Sequence, residues 1–343
     1  MAHQSLYRAY RPQAFKDVIG QDQVVRPLEE QIASGKVGHA YLFAGSRGLG
    51  KTSIARIFAR ELGTNERDIY EIDAASNNSV EDIRALTEQV YTLPFDSKFK
   101  VYILDEAHML SKSAWNAFLK TLEEPPAYAL FMLATTELDK VPETVQSRCQ
   151  VFQLRKPGRQ VLASLILDIG KKEKYEIDPS AADLIAMLGD GSYRDALSVL
   201  EKALASATDG KLSREDAERA TGAPKHALVH ALVTSLAAGD QNAALSTIRA
   251  VGNEGIDMHL YLTLVLEYLR QILLIRHAPE LRNELAKELG DDVFAEASAL
   301  ASDSASRITH HTLKAFLDAA SRIRFAPVPM LSLELAVMEL SAG

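Results

Sequence analysis

The chain has 343 residues, which at roughly 100–200 residues per domain predicts two or three domains. Hydrophobic residues make up 47% and charged residues 24%, a balance typical of globular proteins with a sizeable core. The single cysteine, Cys149, excludes an internal disulfide and a cysteine-based zinc cluster. No apolar run opens the chain and no uninterrupted apolar stretch reaches membrane-spanning length. We therefore expect a cytoplasmic protein without a membrane partner.

The charge is distributed unevenly along the chain. Lys and Arg number 38 against 46 Asp and Glu, a net charge of −8. Residues 1–156 contain 19 basic and 20 acidic side chains, whereas residues 157–343 contain 19 and 26. A DNA partner would therefore bind to residues 1–156, through a local basic patch rather than through the overall charge of the protein.

Strand-like and helix-like segments alternate in the first part. The predicted helices cover Ser53–Leu62, Val80–Tyr91, Ser113–Leu122 and Pro142–Ser147. The apolar runs that predict strands are Ala40–Ala44, Ile69–Ile72, Val101–Leu104, Ala129–Ala134 and Gln150–Leu154. This alternation indicates an α/β fold with a parallel sheet and helices on both faces.

Strand signals stop after Arg155-Lys156-Pro157. We predict a nucleotide-binding domain over residues 1–156, a small helical domain over 157–222 and a second helical domain over 223–343. The segment Leu260–Ile275 is apolar but interrupted by polar residues, which favours a buried amphipathic helix over a membrane span.

The strongest motif is GSRGLGKT at residues 45–52, which fits the phosphate-binding pattern G-x-x-x-x-G-K-[ST]. It follows a predicted strand and opens a predicted helix, whose N-terminus favours anions. We expect Lys51 to reach the β- and γ-phosphates of a nucleotide and Thr52 to bind Mg²⁺. The predicted nucleotide-binding residues of this loop are Gly45, Ser46, Arg47, Gly48, Leu49, Gly50, Lys51, Thr52 and Ser53.

A second motif, VYILDEAH, places two carboxylates after an apolar strand. Asp105 is expected to hold Mg²⁺, directly or through water, and Glu106 to orient the attacking water. Acidic residues after a strand are common in solvated loops. The phosphate-binding motif upstream favours the catalytic interpretation here.

Other polar residues are less specific when taken alone. Thr136 follows the fourth predicted strand, where a γ-phosphate would lie. Arg148 and Arg194 are, by composition alone, more consistent with ordinary surface positions than with functional ones. The histidines show no spacing that we interpret as a metal site.

Several further motifs together resemble the clamp-loader ATPase family, in particular the gamma/tau subunits of bacterial DNA polymerase III. The motifs are YRAYRPQAFKDVIGQ at 7–21, IDAASNN at 72–78, KTLEEPP at 120–126, LATT at 133–136, SRC at 147–149 and GSYRDAL at 191–197. The resemblance is specific over about residues 5–220 and diffuse over 223–343.

This resemblance implies an AAA+ fold with a nucleotide-binding domain, a helical lid and a helical collar that joins subunits in a ring. It implies an ATP-dependent motor that loads a sliding clamp onto primer–template DNA, with other copies of itself, delta and delta-prime subunits and the beta clamp as partners. By resemblance, Thr136 and Arg194 are sensors of ATP, and Arg148 is an arginine finger acting on a neighbouring subunit. Val18 and Ile19 would line the adenine pocket, and the implied DNA contacts are Asn78, Ser79 and Lys120.

The sequence departs from the family in one segment. Family members normally carry a four-cysteine zinc module between the phosphate-loop helix and the IDAAS motif, but here residues 60–68 make a direct connection without cysteine. ATP and Mg²⁺ are therefore the expected cofactors, and no zinc is expected. We also expect the sequence to end with the collar, without a tau-type extension.

Two alternative functions remain open from the sequence. One is another AAA+ DNA motor of the branch-migration helicase kind, which the SRC and LEEPP motifs disfavour. The other is a non-catalytic ring subunit, which the intact phosphate-binding loop and the Asp105-Glu106 pair disfavour.

Overall fold

The computed structural model describes residues 4–323 and 325–341. The described residues form two compact units. The first is drawn from residues 1–162 and 189–198, and the second from residues 163–188 and 199–343.

The first unit contains a parallel five-stranded sheet flanked by helices. Its strands are β1 (Ala40–Ala44), β2 (Ile69–Asp73), β3 (Lys100–Asp105), β4 (Ala129–Thr135) and β5 (Gln150–Gln153). Its helices are α1 (Leu6–Ala9), α2 (Asp22–Ser34), α3 (Lys51–Glu61), α4 (Val80–Val90), α5 (Lys112–Glu123) and α6 (Glu143–Gln146).

The strand order is β2-β3-β4-β1-β5, with every neighbouring pair parallel. In the register, Ala44 on β1 pairs with Thr135 on β4, and Leu104 on β3 pairs with Leu133 on β4. The carboxyl ends of β1, β3 and β4 therefore meet at one edge of the sheet. This edge is where open α/β sheets bind ligands.

The sheet core has two layers because alternate side chains of each strand point to opposite faces. β1, β3 and β4 consist almost entirely of buried residues, as expected for strands covered on both sides. One layer packs Leu42, Leu104 and Leu133 with residues of α4 and α5, including Leu86, Trp115 and Phe118. The other packs Tyr41, Phe43, Ile103 and Met132 with residues of α2 and α3, including Leu28, Ile54 and Phe58.

All five predicted strands are confirmed, with ends that shift by at most one residue. The four predicted helices are also present as α3 to α6. Helix α2 had no sequence prediction. Val24, Val25 and Leu28 are buried and spaced for one helix face, but Pro27 lies in the helix interior, where proline disfavours a helix in any sequence-based prediction.

The second unit is mainly helical. Helices α7 (Arg159–Lys172) and α9 (Tyr193–Leu204) straddle its boundaries with the first unit. Its other helices are α8 (Pro179–Leu188), α10 (Arg214–Thr221), α11 (His226–Ala238), α12 (Gln241–Asn253), α13 (Met258–His277), α14 (Arg282–Leu289), α15 (Asp291–Ser302), α16 (His310–Ile323) and α17 (Pro329–Ser341).

The prediction that strands stop after residue 157 is wrong in one detail. Two two-residue strands, β6 (Glu176–Ile177) and β7 (Lys211–Leu212), form a parallel pair. Segments this short carry too little period-two pattern to be recognised in a sequence.

Helix α13 is the central helix of the second unit. Half of its 20 residues are buried, among them Tyr261, Val265 and Leu269, and it packs against α11, α15 and α16. It is long and apolar enough to cross a membrane by composition alone, yet 56% of its most apolar window is buried within the protein. The predicted buried amphipathic helix is therefore confirmed.

Candidate nucleotide-binding and hydrolysis site

The loop between β1 and α3 has the backbone that its glycines allow. Gly45, Gly48 and Gly50 adopt φ values of 150°, 76° and 94°, a region that L side chains rarely enter. A Cβ on Gly48 would lie 1.9 Å from Ser192 Oγ, and one on Gly45 would lie 2.8 Å from the Leu154 carbonyl oxygen. Glycine is thus required at both positions by conformation and by close approach.

Lys51, the first residue of α3, is directed into this loop. Its side chain is 6% exposed, and its Nζ donates hydrogen bonds to the carbonyl oxygens of Gly45 (2.8 Å) and Ser46 (3.0 Å). Burial lowers the pKa of Lys51, while the charges of Glu106 and Asp105 act in the opposite direction. A buried ammonium held by neutral carbonyls is a suitable partner for phosphate oxygens.

Thr52 and Asp105 meet across the sheet edge. Thr52 Oγ1 donates a hydrogen bond of 2.8 Å to Asp105 Oδ2. The two side chains come from the start of α3 and the end of β3. They therefore place a hydroxyl and a carboxylate oxygen together, which is the ligand chemistry that Mg²⁺ prefers.

Glu106 lies beside this pair and is fixed by the neighbouring strand end. Thr136 Oγ1 donates to Glu106 Oε2 at 3.1 Å, and the Glu106 backbone N–H donates to Asp105 Oδ1 at 3.0 Å. Glu106 has a φ of 48°, a left-handed conformation that costs free energy in a non-glycine residue and that is concentrated at functional sites. The structure thus brings Lys51, Thr52, Asp105, Glu106 and Thr136 to one edge.

The start of α9 lies against the phosphate-binding loop. The Tyr193 backbone N–H donates to the Gly48 carbonyl at 3.1 Å. A Cβ on Gly48 would lie 3.3 Å from Arg194 Cβ, and the Arg194 charge contributes to the lowered pKa of Lys51. Arg194 is exposed, so its guanidinium is available to an anion at the loop.

The N-terminal segment completes this side of the site. Val18 packs against the core layer of α3, and Ile19, which is 43% exposed, presents its carbonyl to the Tyr193 hydroxyl at 2.5 Å. Arg11 Nε donates to Ser53 Oγ at 2.8 Å. Sequence reasoning missed Arg11 as a site residue, because nothing in its spacing relates it to a loop 42 residues away.

His108 is a second residue that was not assigned to the site. Its Nδ1 lies 3.0 Å from Thr135 Oγ1 and 3.6 Å from Glu106 Oε2, and its Nε2 lies 3.3 Å from Glu137 Oε1. The histidine therefore contacts the same carboxylate as Thr136. Its position in the DEAH stretch is visible in the sequence, but the direction of its side chain within a 3₁₀ turn (Ala107–Met109) is not.

Arg148 is placed on a different part of the first unit. Its guanidinium donates to the Thr144 carbonyl at 2.6 Å and to the carboxylate of Glu123 at the end of α5. Its hydrogen bonds among the described residues are therefore with α5 and α6 rather than with the phosphate-binding loop. This placement leaves a cation near the surface, 34% exposed.

The three residues implied in DNA binding do not form one cluster. Ser79 caps α4 and shares a reciprocal capping box with Asp82, and the Asn78 carbonyl accepts from the N–H of Ser111, the N-cap of α5. Two helix N-termini are thus adjacent. Lys120 is exposed and lies in the last turn of α5, about 13 Å along the helix axis from its start.

The expectation that the histidines lack metal-like spacing is wrong. His226 and His230 lie four residues apart on α11 and converge with Glu296 of α15. An i, i+4 pair shares one helix face, so this part of the pattern was visible in the sequence.

Solved structures share this architecture. The Thermotoga maritima RuvB Holliday junction branch migration motor superposes with a TM-score of 0.53 at 20% identity, over 89% of this chain and 97% of that one. A point mutant of the same RuvB gives a TM-score of 0.54 over the same shares of both chains. Identity this low shows the fold alone. Fold and phosphate-binding loop together define an AAA+ P-loop protein, with a lid and an α-helical C-terminal region.

Family comparisons give a narrower assignment. Residues 20–78 and 63–158 match DNA polymerase III, delta subunit; residues 163–209 match the DNA polymerase III clamp loader subunit, ATPase lid domain; and residues 212–342 match DNA polymerase III subunits gamma and tau domain III. DNA polymerase III subunit gamma of Buchnera aphidicola is 31% identical over 99% of this chain and 98% of its own length. The chain belongs to the DNA polymerase III gamma/tau subunit family.

Longer relatives match over part of their length. DNA polymerase III subunit tau of Bacillus subtilis is 39% identical over 87% of this chain, and that of Escherichia coli is 36% identical over 83%. The chain spans 56% and 48% of these two proteins.

Proposed function

We propose that the chain binds ATP with Mg²⁺ and hydrolyses the γ-phosphate as the motor subunit of a clamp loader. The observation that supports this most directly is the convergence of Lys51, Thr52, Asp105, Glu106 and Thr136 at one sheet edge, in a member of the gamma/tau family. The clamp loader would place a sliding clamp on primer–template DNA during replication.

The residues present suit a nucleotide and its metal ion. The buried Lys51 supplies a positive charge inside a loop whose glycines let the backbone approach phosphate closely. Thr52 and Asp105, already 2.8 Å apart, would hold Mg²⁺ through oxygen ligands. When bound, Mg²⁺ would neutralise charge that develops on the transferred phosphoryl group.

Hydrolysis also requires a positioned water. In this proposal Glu106 orients and polarises the attacking water, and Thr136 fixes the carboxylate by its 3.1 Å hydrogen bond. Arg194, beside Gly48, would contact the phosphates from the lid side. Val18 and Ile19 would border the adenine.

Arg148 has a different proposed role. It would act in trans on ATP bound to a neighbouring subunit, which makes hydrolysis depend on ring assembly. Its surface position near α5 and α6 is consistent with delivery across an interface. Glu123 would have to release the guanidinium for this contact.

We also propose the assembly and its partners. These are further copies of this chain, delta and delta-prime subunits, the beta clamp and primer–template DNA, in the cytoplasm. The three-part division at residues 1–156, 157–222 and 223–343 is supported by separate family matches close to those boundaries. Asn78, Ser79 and Lys120 are proposed DNA-backbone contacts. Asn78 and Ser79 lie at the N-terminus of α4, which adjoins that of α5, and phosphate is favoured at helix N-termini.

The test is nucleotide binding and turnover by wild type and Lys51→Ala, with exposed Lys36→Ala as the matched control. We expect Lys51→Ala to lose turnover and most ATP affinity, and Lys36→Ala to keep both, provided that circular dichroism shows all three proteins folded. Undiminished turnover in folded Lys51→Ala would refute the proposal.

A further inference from the structure

A histidine–glutamate cluster lies in the second unit, within a groove of about 1790 Å³. His226 and His230 project from α11 and Glu296 from α15. The side chains are 16%, 32% and 44% exposed. The cluster is therefore sheltered yet open to solvent through the groove.

The donor atoms are close enough for one ion. His226 Nε2 lies 2.9 Å and His230 Nδ1 lies 3.5 Å from Glu296 Oε2, and one ligand atom from each residue falls within 4.8 Å of the others. In tetrahedral coordination with metal–ligand distances of about 2.0–2.1 Å, donor atoms lie about 3.3 Å apart. Small side-chain movements would therefore bring the three donor atoms to the separations of tetrahedral coordination.

Neighbouring groups act on the histidines in different ways. Thr234 Oγ1 lies 3.4 Å from His230 Nε2, the nitrogen that does not face Glu296, and such a contact restricts ring orientation as it does around metal-binding histidines. The Tyr268 hydroxyl lies 3.0 Å from His230 Nδ1, the proposed donor atom, and would turn away when an ion binds. The His226 backbone N–H donates to Glu218 Oε1 at 2.9 Å, which fixes the start of α11.

The charges around the cluster are compatible with a cation. Glu296 supplies a carboxylate oxygen 2.9 Å from His226 Nε2. Arg214, which lines the same groove, is paired with Glu218 at 3.0 Å, which reduces its repulsion of a cation.

We propose that His226, His230 and Glu296 bind one divalent transition-metal ion of the Zn²⁺ class, which would cross-link α11 and α15. Two imidazoles and one carboxylate are a common ligand set for zinc, with a water molecule at the fourth position. The expectation of no zinc concerned a cysteine module, and this site is built from other residues.

The experiment uses the full chain, freed of metal by chelation and kept in Mg²⁺. Co²⁺ is titrated while its visible absorption is recorded, and Zn²⁺ then displaces it. The ligand variants are His226→Ala, His230→Ala and Glu296→Gln. His259→Ala, an exposed histidine at the start of α13, is the matched control, and Asp105→Asn tests whether the ion binds at the nucleotide site instead.

We expect one equivalent of tetrahedral Co²⁺ in wild type, His259→Ala and Asp105→Asn. Each ligand variant should bind Co²⁺ at least about 100-fold more weakly than wild type does, since even the loss of a group that only contacts a metal ligand typically costs about 10–100-fold in metal affinity. Zn²⁺ should raise the melting temperature of wild type and leave that of the ligand variants unchanged. Cys149 should not compete, because burial raises its pKa to about 12.

Two results would overturn the proposal. One is wild-type protein that binds neither Co²⁺ nor Zn²⁺ in Mg²⁺ buffer. The other is unaltered affinity in the ligand variants. If an alanine variant fails to fold without metal, Glu296→Gln, which retains an amide oxygen for His226, and the Zn²⁺-dependent melting of wild type still decide the question.

Discussion

Glu106 joins a left-handed backbone to a side chain fixed by Thr136. Asp105, one residue earlier, instead faces Thr52. The turn after β3 therefore directs two adjacent carboxylates to different partners. Asp105 contacts Thr52, with which it would hold Mg²⁺, and Glu106 contacts Thr136, beside the proposed attacking water. This separation allows each acidic residue to be tested alone.

We predict that Glu106→Gln retains ATP binding but loses hydrolysis. The amide keeps the shape of the side chain and accepts the Thr136 hydrogen bond, but it cannot act as a base, a role typically worth about 10²–10⁴-fold in rate. Turnover and equilibrium ATP binding should be measured together, with exposed Glu124→Gln as the control. Turnover within tenfold of wild type would show that Glu106 is not the water-positioning residue.

The short connection between α3 and β2 is held by one buried carboxylate, Asp68. Asp68 is fully buried and accepts from the backbone N–H groups of Phe95, Asp96 and Ser97 at 2.7, 3.1 and 3.0 Å. Burial alone would raise the pKa of Asp68, but these hydrogen bonds outweigh it and lower the pKa. The carboxylate thus ties the loop before β3 to the start of β2.

We predict that Asp68→Asn destabilises the protein by about 2–3 kcal/mol near pH 7, because hydrogen bonds to a charged group are worth about 1.5–3 kcal/mol. Since the folded pKa is lowered, the contribution is complete above the unfolded value of about 3.9 and is lost as the pH falls through the folded pKa. Urea unfolding across pH should show the gap between the two proteins closing below about pH 4. A gap that stays constant in acid would contradict the ionised role.

Gly48, in the loop between β1 and α3, and Gly63, just after α3, offer a matched pair of glycine substitutions. Gly48 and Gly63 share a φ of 76°, but a Cβ on Gly48 meets Ser192 while one on Gly63 has nothing within 4 Å. We predict that Gly63→Ala costs about 1–2 kcal/mol from backbone strain, and that Gly48→Ala costs more and also weakens ATP binding. Denaturant melts and ATP titrations measure both effects, and equal behaviour of the two variants would mean that close approach of α9 to the loop is unimportant.

The net charge of −8 opposes a general electrostatic attraction to DNA, so the proposed DNA binding would depend on a local surface in the proposed ring. We predict that the affinity of the assembled complex for primed DNA falls steeply with salt through counterion release. Fluorescence anisotropy at several salt concentrations measures the slope, and Lys120→Ala should reduce it. A flat response between low and moderate salt would argue against backbone contacts.

Much of the fold and site could be predicted because the signals are local. β1, β3 and β4 are continuous apolar runs, and the phosphate-binding loop has fixed spacing between strand and helix. The remaining features depend on tertiary placement. Arg11 contacts Ser53, 42 residues away in the chain, and Glu296 contacts His226, 70 residues away. A periodic pattern in the sequence cannot reveal contacts between residues this far apart.

The most direct measurement of the proposed motor is ATP turnover by the purified chain, alone and mixed with sliding clamp, delta-type subunits and primed DNA, with Arg148→Ala in parallel. We predict strong stimulation of wild type by clamp and primed DNA, and little in Arg148→Ala despite normal ATP binding, because the arginine is proposed to act on a neighbour's nucleotide. Turnover that ignores clamp and DNA, or equal stimulation of the Arg148 variant, would contradict a ring motor of the clamp-loader kind.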